Sequence, residues 1–130
     1  MTDTPCPCSP DRLLASCCGR YHQGEKAPGA VELMRSRYSA FALGLIDYIR
    51  DTTHPSQQAD LDMDHIAAWS HNSRWLGLTL HADAPLQARP PSHSVEFTAL
   101  WQDTAGQLHQ HHETSRFVRF KGRWYFIQPH

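Results

Sequence analysis

The chain has 130 residues, 40% of them hydrophobic and 19% charged, which sets the expectation of one domain with a genuine core, carrying at most a small appended module, and excludes wholesale disorder. The formal net charge is −1 and the sequence pI is about 6.8, so the extended basic footprint of a nucleic-acid-binding protein is absent and no nucleic-acid partner is expected. No apolar run reaches the roughly 18–20 residues that a membrane-spanning helix needs, and no basic-then-apolar leader opens the chain; a cytoplasmic location is the expectation.

All four cysteines, Cys6, Cys8, Cys17 and Cys18, fall within "CPCSPDRLLASCCGRYHQG". In a reducing compartment such a cluster reads as metal-binding or redox-active rather than as a structural disulfide. Four thiolates fill a tetrahedral zinc shell and leave no position for a catalytic water, which points to a structural site. A vicinal Cys17–Cys18 disulfide, a redox couple drawing on Cys6 or Cys8, and four spare thiols are the competing readings. Iron also accepts four thiolates. A buried apolar setting for the thiols fits poorly with neighbours that are Pro, Ser, Asp and Arg. Pro5 and Pro7 stiffen the first pair. "DRLLAS" is long enough for a short helix capped by Ser9 or Asp11, and Gly19 suits a reversal with positive φ.

"EKAPG" is a linker. In "AVELMRSRYSAFALGLIDYIRDTTHP" the residues Val31, Met34, Tyr38, Phe41, Leu45 and Ile49 recur at helical spacing. Gly29 is a weak cap, Gly44 divides the stretch into two helices, and Pro55 ends the second with His54 beside its dipole. "QQADLDM" reads as loop and "DHIAAWSHNS" as a short helix, with Asp64 near its start and Ile66 and Trp69 facing inward. The period then changes to two. "RWLGLTLHA" sets Trp75, Gly77 and Thr79 against Leu76, Leu78 and Leu80. "APLQARPPSH" is a turn-rich loop. "SVEFTALWQD" sets Val95, Phe97, Ala99 and Trp101 against Glu96, Thr98 and Leu100. A turn at Asp103–Gly106 leads into "QLHQHHETSRFVRF", Lys121–Gly122 makes a tight hairpin turn, and "RWYFIQ" closes the sheet. Helices followed by an antiparallel meander predict an α+β layer.

Candidate chemistry outside the cysteines is sparse. Glu113 and Ser115 share one strand face, while His112 and Arg116 share the other. One reading is a polar pocket in which Arg116 holds an anion and His112 or Glu113 moves protons. The bland reading is an internal salt bridge of Arg35 or Arg37 with Glu113 or Glu96 that fixes helix on sheet. His109 and His111 share a face able to hold a metal but lack a third ligand. Tyr21 and His22 stand where the cysteine segment meets the rest. The basic residues Arg116, Arg119, Lys121 and Arg123 read as a solvated strand face rather than a phosphate track, and the four tryptophans read as core rather than a ligand cage. No Gly-rich phosphate loop and no Ser-His-Asp or Cys-His nucleophile constellation is found.

"CPCSPDRLLASCCGRYH" resembles the SEC-C zinc motif, a cysteine knuckle also found at the C-terminus of the preprotein translocase ATPase. "CCGRYH", "LMRSRYSAFALG", "HPS" and "SRFVRFKGRWYF" together resemble the YchJ-like bacterial family over almost the whole chain. The resemblance implies a SEC-C motif at 1–24 followed by an NTF2-like domain at 25–130, a cone of helices packed on a curved antiparallel sheet. It implies Zn2+ on Cys6, Cys8, Cys17 and Cys18. The family's "RYH" and His-Glu-x-Ser-Arg-Phe stretches bring Tyr21, His22, His112, Glu113 and Arg116 forward as pocket candidates, and Arg35 and Glu96 join them as the candidate charge partners named above. The expected roles are a structural or protein-docking knuckle, with a partner in the translation or secretion machinery, or else acid–base chemistry or ligand binding in the cone pocket. NTF2-like sheets often pair, so a homodimer is among the expectations. Two departures stand out: Ser9-Pro10 replaces the usual Gly-Ser, and the second SEC-C motif of longer relatives has no counterpart in these 130 residues.

Overall fold

The computed structural model describes residues 4–86 and 91–128. The chain opens with a hairpin of β1 (Pro5–Cys6) and β2 (Ser9–Leu13), then a 3-10 turn at Leu14–Ser16 and helix α1 (Cys18–His22). "DRLLAS" is therefore a strand and a turn rather than a capped helix. Pairing of Cys6 with Ser9 and of Pro5 with Leu13 holds it extended. Gly19 lies inside α1 and is needed for space, not for positive φ: a Cβ there would stand 2.7 Å from the Leu14 carbonyl oxygen.

Helix α2 (Ala30–Leu43) starts at Gly29, whose extended φ of −161° makes it the cap, and stops at Gly44, whose φ of 76° is left-handed. Helix α3 (Ile46–Asp51) follows. The break at Gly44 puts the apolar stripe out of phase, so Leu45 is exposed while Ile49 is buried. Pro55 begins a 3-10 helix (Pro55–Asp60) instead of ending α3, and His54 caps it through Nδ1, which accepts from the Ser56 amide. The first half of the expected polar loop is thus helical. Helix α4 (Met63–His71) is capped by Asp62, which accepts from the His65 amide.

Four antiparallel strands complete the fold in the order β3 (Arg74–Leu86), β4 (Ser92–Gln102), β5 (Leu108–Phe120) and β6 (Arg123–Ile127). Strand pairing runs on to Leu86 opposite Ser92, so much of the expected turn-rich loop is strand, and its positions 87–90 lie outside the described residues. A bulge between Trp75 and Gly77 resets the alternation of β3. It places Trp75 on the same inward face as Leu78 and turns Leu76 out to 42% exposure. Asp103 closes the β4–β5 turn by accepting from the Ala105 and Gln107 amides. Lys121 (φ 51°) and Gly122 (φ 80°) give the two left-handed residues of a tight hairpin.

Helix α2 packs across β3, β4 and β6. Leu33 and Met34 meet Val95 and Phe117 in one half of the core. The other half holds Tyr38, Ala99 and all four cysteines, with Trp75, Leu78 and Phe97 packed against them. A parallel bridge from Thr53 to Phe126 ties the helical layer to the sheet edge.

Candidate metal centre and adjoining cavity

The hairpin delivers Cys6 and Cys8, and the start of α1 delivers Cys17 and Cys18. Their sulfurs all lie within 4.8 Å of one another. Individual separations are 3.5 Å for Cys6–Cys8, 3.6 Å for Cys8–Cys17 and Cys8–Cys18, and 4.0 Å for Cys17–Cys18. A tetrahedron with metal–sulfur bonds of ~2.3 Å has sulfur–sulfur edges of about 3.8 Å, so the four donors fit one metal ion. All four are free thiols, and neither the vicinal disulfide nor a Cys6 or Cys8 couple is formed.

The surroundings differ from the sequence expectation. Each cysteine is buried, and they join the core beside Tyr38 and Ala99. The polar neighbours in sequence point away, because the two-residue spacing of Cys6 and Cys8 turns both sulfurs inward and Pro5 and Pro7 outward. Ser39, fully buried, stands 3.5 Å from the Cys6 sulfur. Without a cation the four thiols compete for charge. Hydrogen bonds from Cys18 and Cys8 hold the Cys6 thiol low, and the bond to Cys6 pushes Cys18 far up. A divalent cation is what allows all four to ionise together. Arg12, on the solvent side, is held further toward its charged form by Cys17 and, at longer range, by Cys8 and Cys18, and so supplies positive charge beside a thiolate cluster.

Tyr21 and His22 pack the junction. The Tyr21 hydroxyl accepts from Arg20; the His22 ring bonds the Ser36 carbonyl at 2.8 Å and meets Tyr48 edge-on.

A cavity of about 320 Å³ opens between α2, α4 and the sheet. Arg37, Glu113 and Ser115 line it together with His111, Trp69 and Trp75. Of the expected pocket residues only Glu113 is in this cavity. His112 and Glu96 are bonded to each other at 2.7 Å on the opposite sheet face, and Arg116 bonds Ser92 there. Strand alternation requires this: Glu113 faces in, so its neighbour His112 and the third residue on, Arg116, face out. Arg35 is half-buried and does not line this cavity, whereas Arg37, two positions further round the helix, does. The expected arginine–glutamate salt bridge is not formed. Glu113 instead takes His111 at 3.0 Å and the Ser115 hydroxyl. Arg37 donates to the Ile49 carbonyl and to Thr52. His109 and His111 share a face but are engaged separately, His109 by Asp103 and a stacked Trp101. Arg37, His111 and Ser115 as cavity partners follow from the same alternation and helix periodicity once Glu113 is placed inside. No described helix is long and apolar enough to cross a membrane.

Residues 29–129 match the family model described as YchJ, middle NTF2-like domain. The crystal structure of a SEC-C motif containing protein from Psychrobacter arcticus aligns with a TM-score of 0.86 at 36% identity, over 98% of this chain and 82% of that one. The solution structure of a SEC-C motif containing protein from Rhodopseudomonas palustris aligns with a TM-score of 0.84 at 34% identity, over 96% of each chain. A putative calcium/calmodulin dependent protein kinase II association domain from Xanthomonas campestris is similar in fold alone, with a TM-score of 0.54 at 15% identity over 80% of this chain and 90% of that one. With its cysteine cluster at one end and its helices on an antiparallel sheet, the chain belongs to the YchJ-like family of SEC-C motif proteins with an NTF2-like domain.

Proposed function

We propose that the protein binds one Zn2+ through Cys6, Cys8, Cys17 and Cys18, and that this centre is structural, completing the core on which the NTF2-like domain depends. The observation that carries the reading is burial: four mutually close sulfurs sit inside a core cluster with Tyr38 and Ala99. A centre facing inward favours stabilisation over a docking role through the metal site itself. Any protein partner would meet the outer surface of the β1–β2 hairpin, where Leu13 is 45% exposed. The sequence units 1–24 and 25–130 are retained, and we propose that they fold as one cooperative unit. Zinc suits the role because it is redox-silent and accepts a closed four-sulfur shell. The test is metal content per chain in protein purified without added metal, with thiols counted before and after chelation. One zinc and four thiols released together support the reading. No metal with fewer than four reactive thiols overturns it, and iron in place of zinc overturns the redox-silent role.

A second reading has its own observation. The cavity joins an aromatic wall to a half-buried guanidinium and the His111–Glu113–Ser115 group, the mixture of apolar lining and few convergent polar groups that marks small-molecule sites. We propose that the domain also binds a small molecule there.

A further inference from the structure

The polar groups of the cavity are unequally satisfied, and that inequality names a ligand class. Both oxygens of Glu113 are engaged, one by His111 at 3.0 Å and the other by the Ser115 hydroxyl. Arg37 is different. Its Nη1 donates to the Ile49 carbonyl at 2.9 Å and to Thr52 Oγ1 at 2.7 Å, with Thr53 Oγ1 at 3.4 Å. Its guanidinium lies 4.5 Å from the centre of the Phe126 ring. No carboxylate reaches ion-pair distance, and among the described residues Nε and Nη2 have no acceptor. Burial pushes the Arg37 pKa down only to about 10, so the group stays charged at neutral pH. A half-buried guanidinium with two donors that no described acceptor takes, on a residue that lines the cavity, suits an anionic acceptor, and a carboxylate matches the planar fork.

The rest of the cavity sets the ligand's body. Ile66, Trp69, Trp75 and Phe97 form the walls, and about 320 Å³ lies at the small end of the ~300–1,000 Å³ range of ligand pockets. Glu113 is beyond ion-pair distance of Arg37 but already acts on it as a charge, so the cavity suits one further negative charge held at Arg37 better than a dianion such as phosphate, which would also leave the aromatic walls uncovered.

We propose that this cavity binds a small aromatic monocarboxylate, its carboxylate on the free edge of Arg37 and its ring among Trp69, Trp75 and Phe97. The proposal rests on the cavity being a ligand site and adds the class of ligand. It is independent of the metal at the cysteines.

The experiment uses the full, metal-loaded chain and paired probes: phenylacetate, 3-phenylpropionate and indole-3-acetate, each against its neutral amide. Binding is followed by amide chemical shifts and, for the phenyl pairs, by tryptophan fluorescence, since two tryptophans line the cavity. The acids are expected to bind about tenfold more tightly than the amides, the gain of a charge-assisted hydrogen bond over a neutral one. Arg37→Gln should abolish the difference while leaving amide binding in place. If Arg37→Gln does not fold, Glu113→Gln provides the second variant and should keep the preference for acid. Equal binding of acid and amide overturns the ligand class and leaves the cavity reading standing. Failure of every probe at millimolar concentration overturns both. Acid preference that persists in a folded Arg37→Gln protein overturns the role of Arg37.

Discussion

Removing the proposed metal, by chelation or by Cys18→Ser, is expected to destabilise the whole chain and not the first 24 residues alone. Cys18 is 1% exposed and packs in one cluster with Tyr38, Ala99 and the other three cysteines. Structural zinc contributes about 10–16 kcal/mol of apparent binding energy in isolated finger peptides, as large as the ~5–15 kcal/mol net stability of an ordinary domain. Here the sulfurs are partly held by a preformed core, so only a fraction of that is lost. A loss of about 3 kcal/mol, the upper end for one buried polar group left unsatisfied, follows when several former partners are exposed together. At this chain length each kcal/mol moves the midpoint by roughly 3–6 °C, so Tm should fall by about 10 °C. Thermal melts in the far and near ultraviolet check this, because the edge-on pair of Tyr38 and Trp75, 5.8 Å apart, reports the packing beside the cysteines. Loss of the near-ultraviolet signal together with the fold, in one transition, is the expected result. An unchanged melt after all four thiols have become reactive, or a small early transition that spares the aromatic signal, would refute the shared core.

Gly19→Ala forces a Cβ to 2.7 Å from the Leu14 carbonyl oxygen; a loss of about 1–3 kcal/mol, together with weaker zinc retention in competition with a chelator, is expected. Phe117→Ala, at a residue 1% exposed in the other half of the core, should cost about 3–5 kcal/mol in a denaturant melt while zinc stoichiometry in the folded fraction stays at one. The Asp103 carboxyl is held below its ordinary range first by His109 and then by the Gln107 amide. A depressed folded pKa means that its support for the β4–β5 turn is present above the unfolded value and is lost as pH falls through the folded one; the protection factors of the Ala105 and Gln107 amides, each rate taken relative to the intrinsic rate at that pH, should fall on acidification, and Asp103→Asn should show the lower protection already at neutral pH. Burial pushes the Tyr48 phenol up despite its bond to Ser36. Its raised folded pKa makes that contribution complete below the unfolded value and lost on alkaline titration; Tyr48→Phe should flatten the alkaline limb of a stability–pH curve.

How far the sequence carried depended on the range of the interaction. Helical spacing from Met34 to Phe41, the break at Gly44, the alternation of Val95, Phe97 and Ala99, and the Lys121–Gly122 turn are all local, and the structure follows them. The bulge beside Leu76 was not visible in the sequence, since the run "RWLGLTL" alternates cleanly on paper and only pairing with β4 shows where a residue is extra. The polar neighbours of the cysteines misled for a similar reason: they report the chain's own surface, not what packs on the sulfurs from 30 or more residues away, as Ser39 does at 3.5 Å from Cys6.

The candidate site divides along the same line. Residue type and close spacing alone singled out the four candidate metal donors, because thiolate coordination is a short-range demand that thirteen consecutive residues, 6–18, can meet. The cavity had to wait for the tertiary structure. Whether Arg35 or Arg37 enters it depends on the rotation of α2 about its axis, and whether Glu113 meets an arginine or a histidine depends on strand register and side-chain reach. A shift of one residue in a strand, or two in a helix, exchanges the inward and outward sets, and only long-range packing fixes which set is inside.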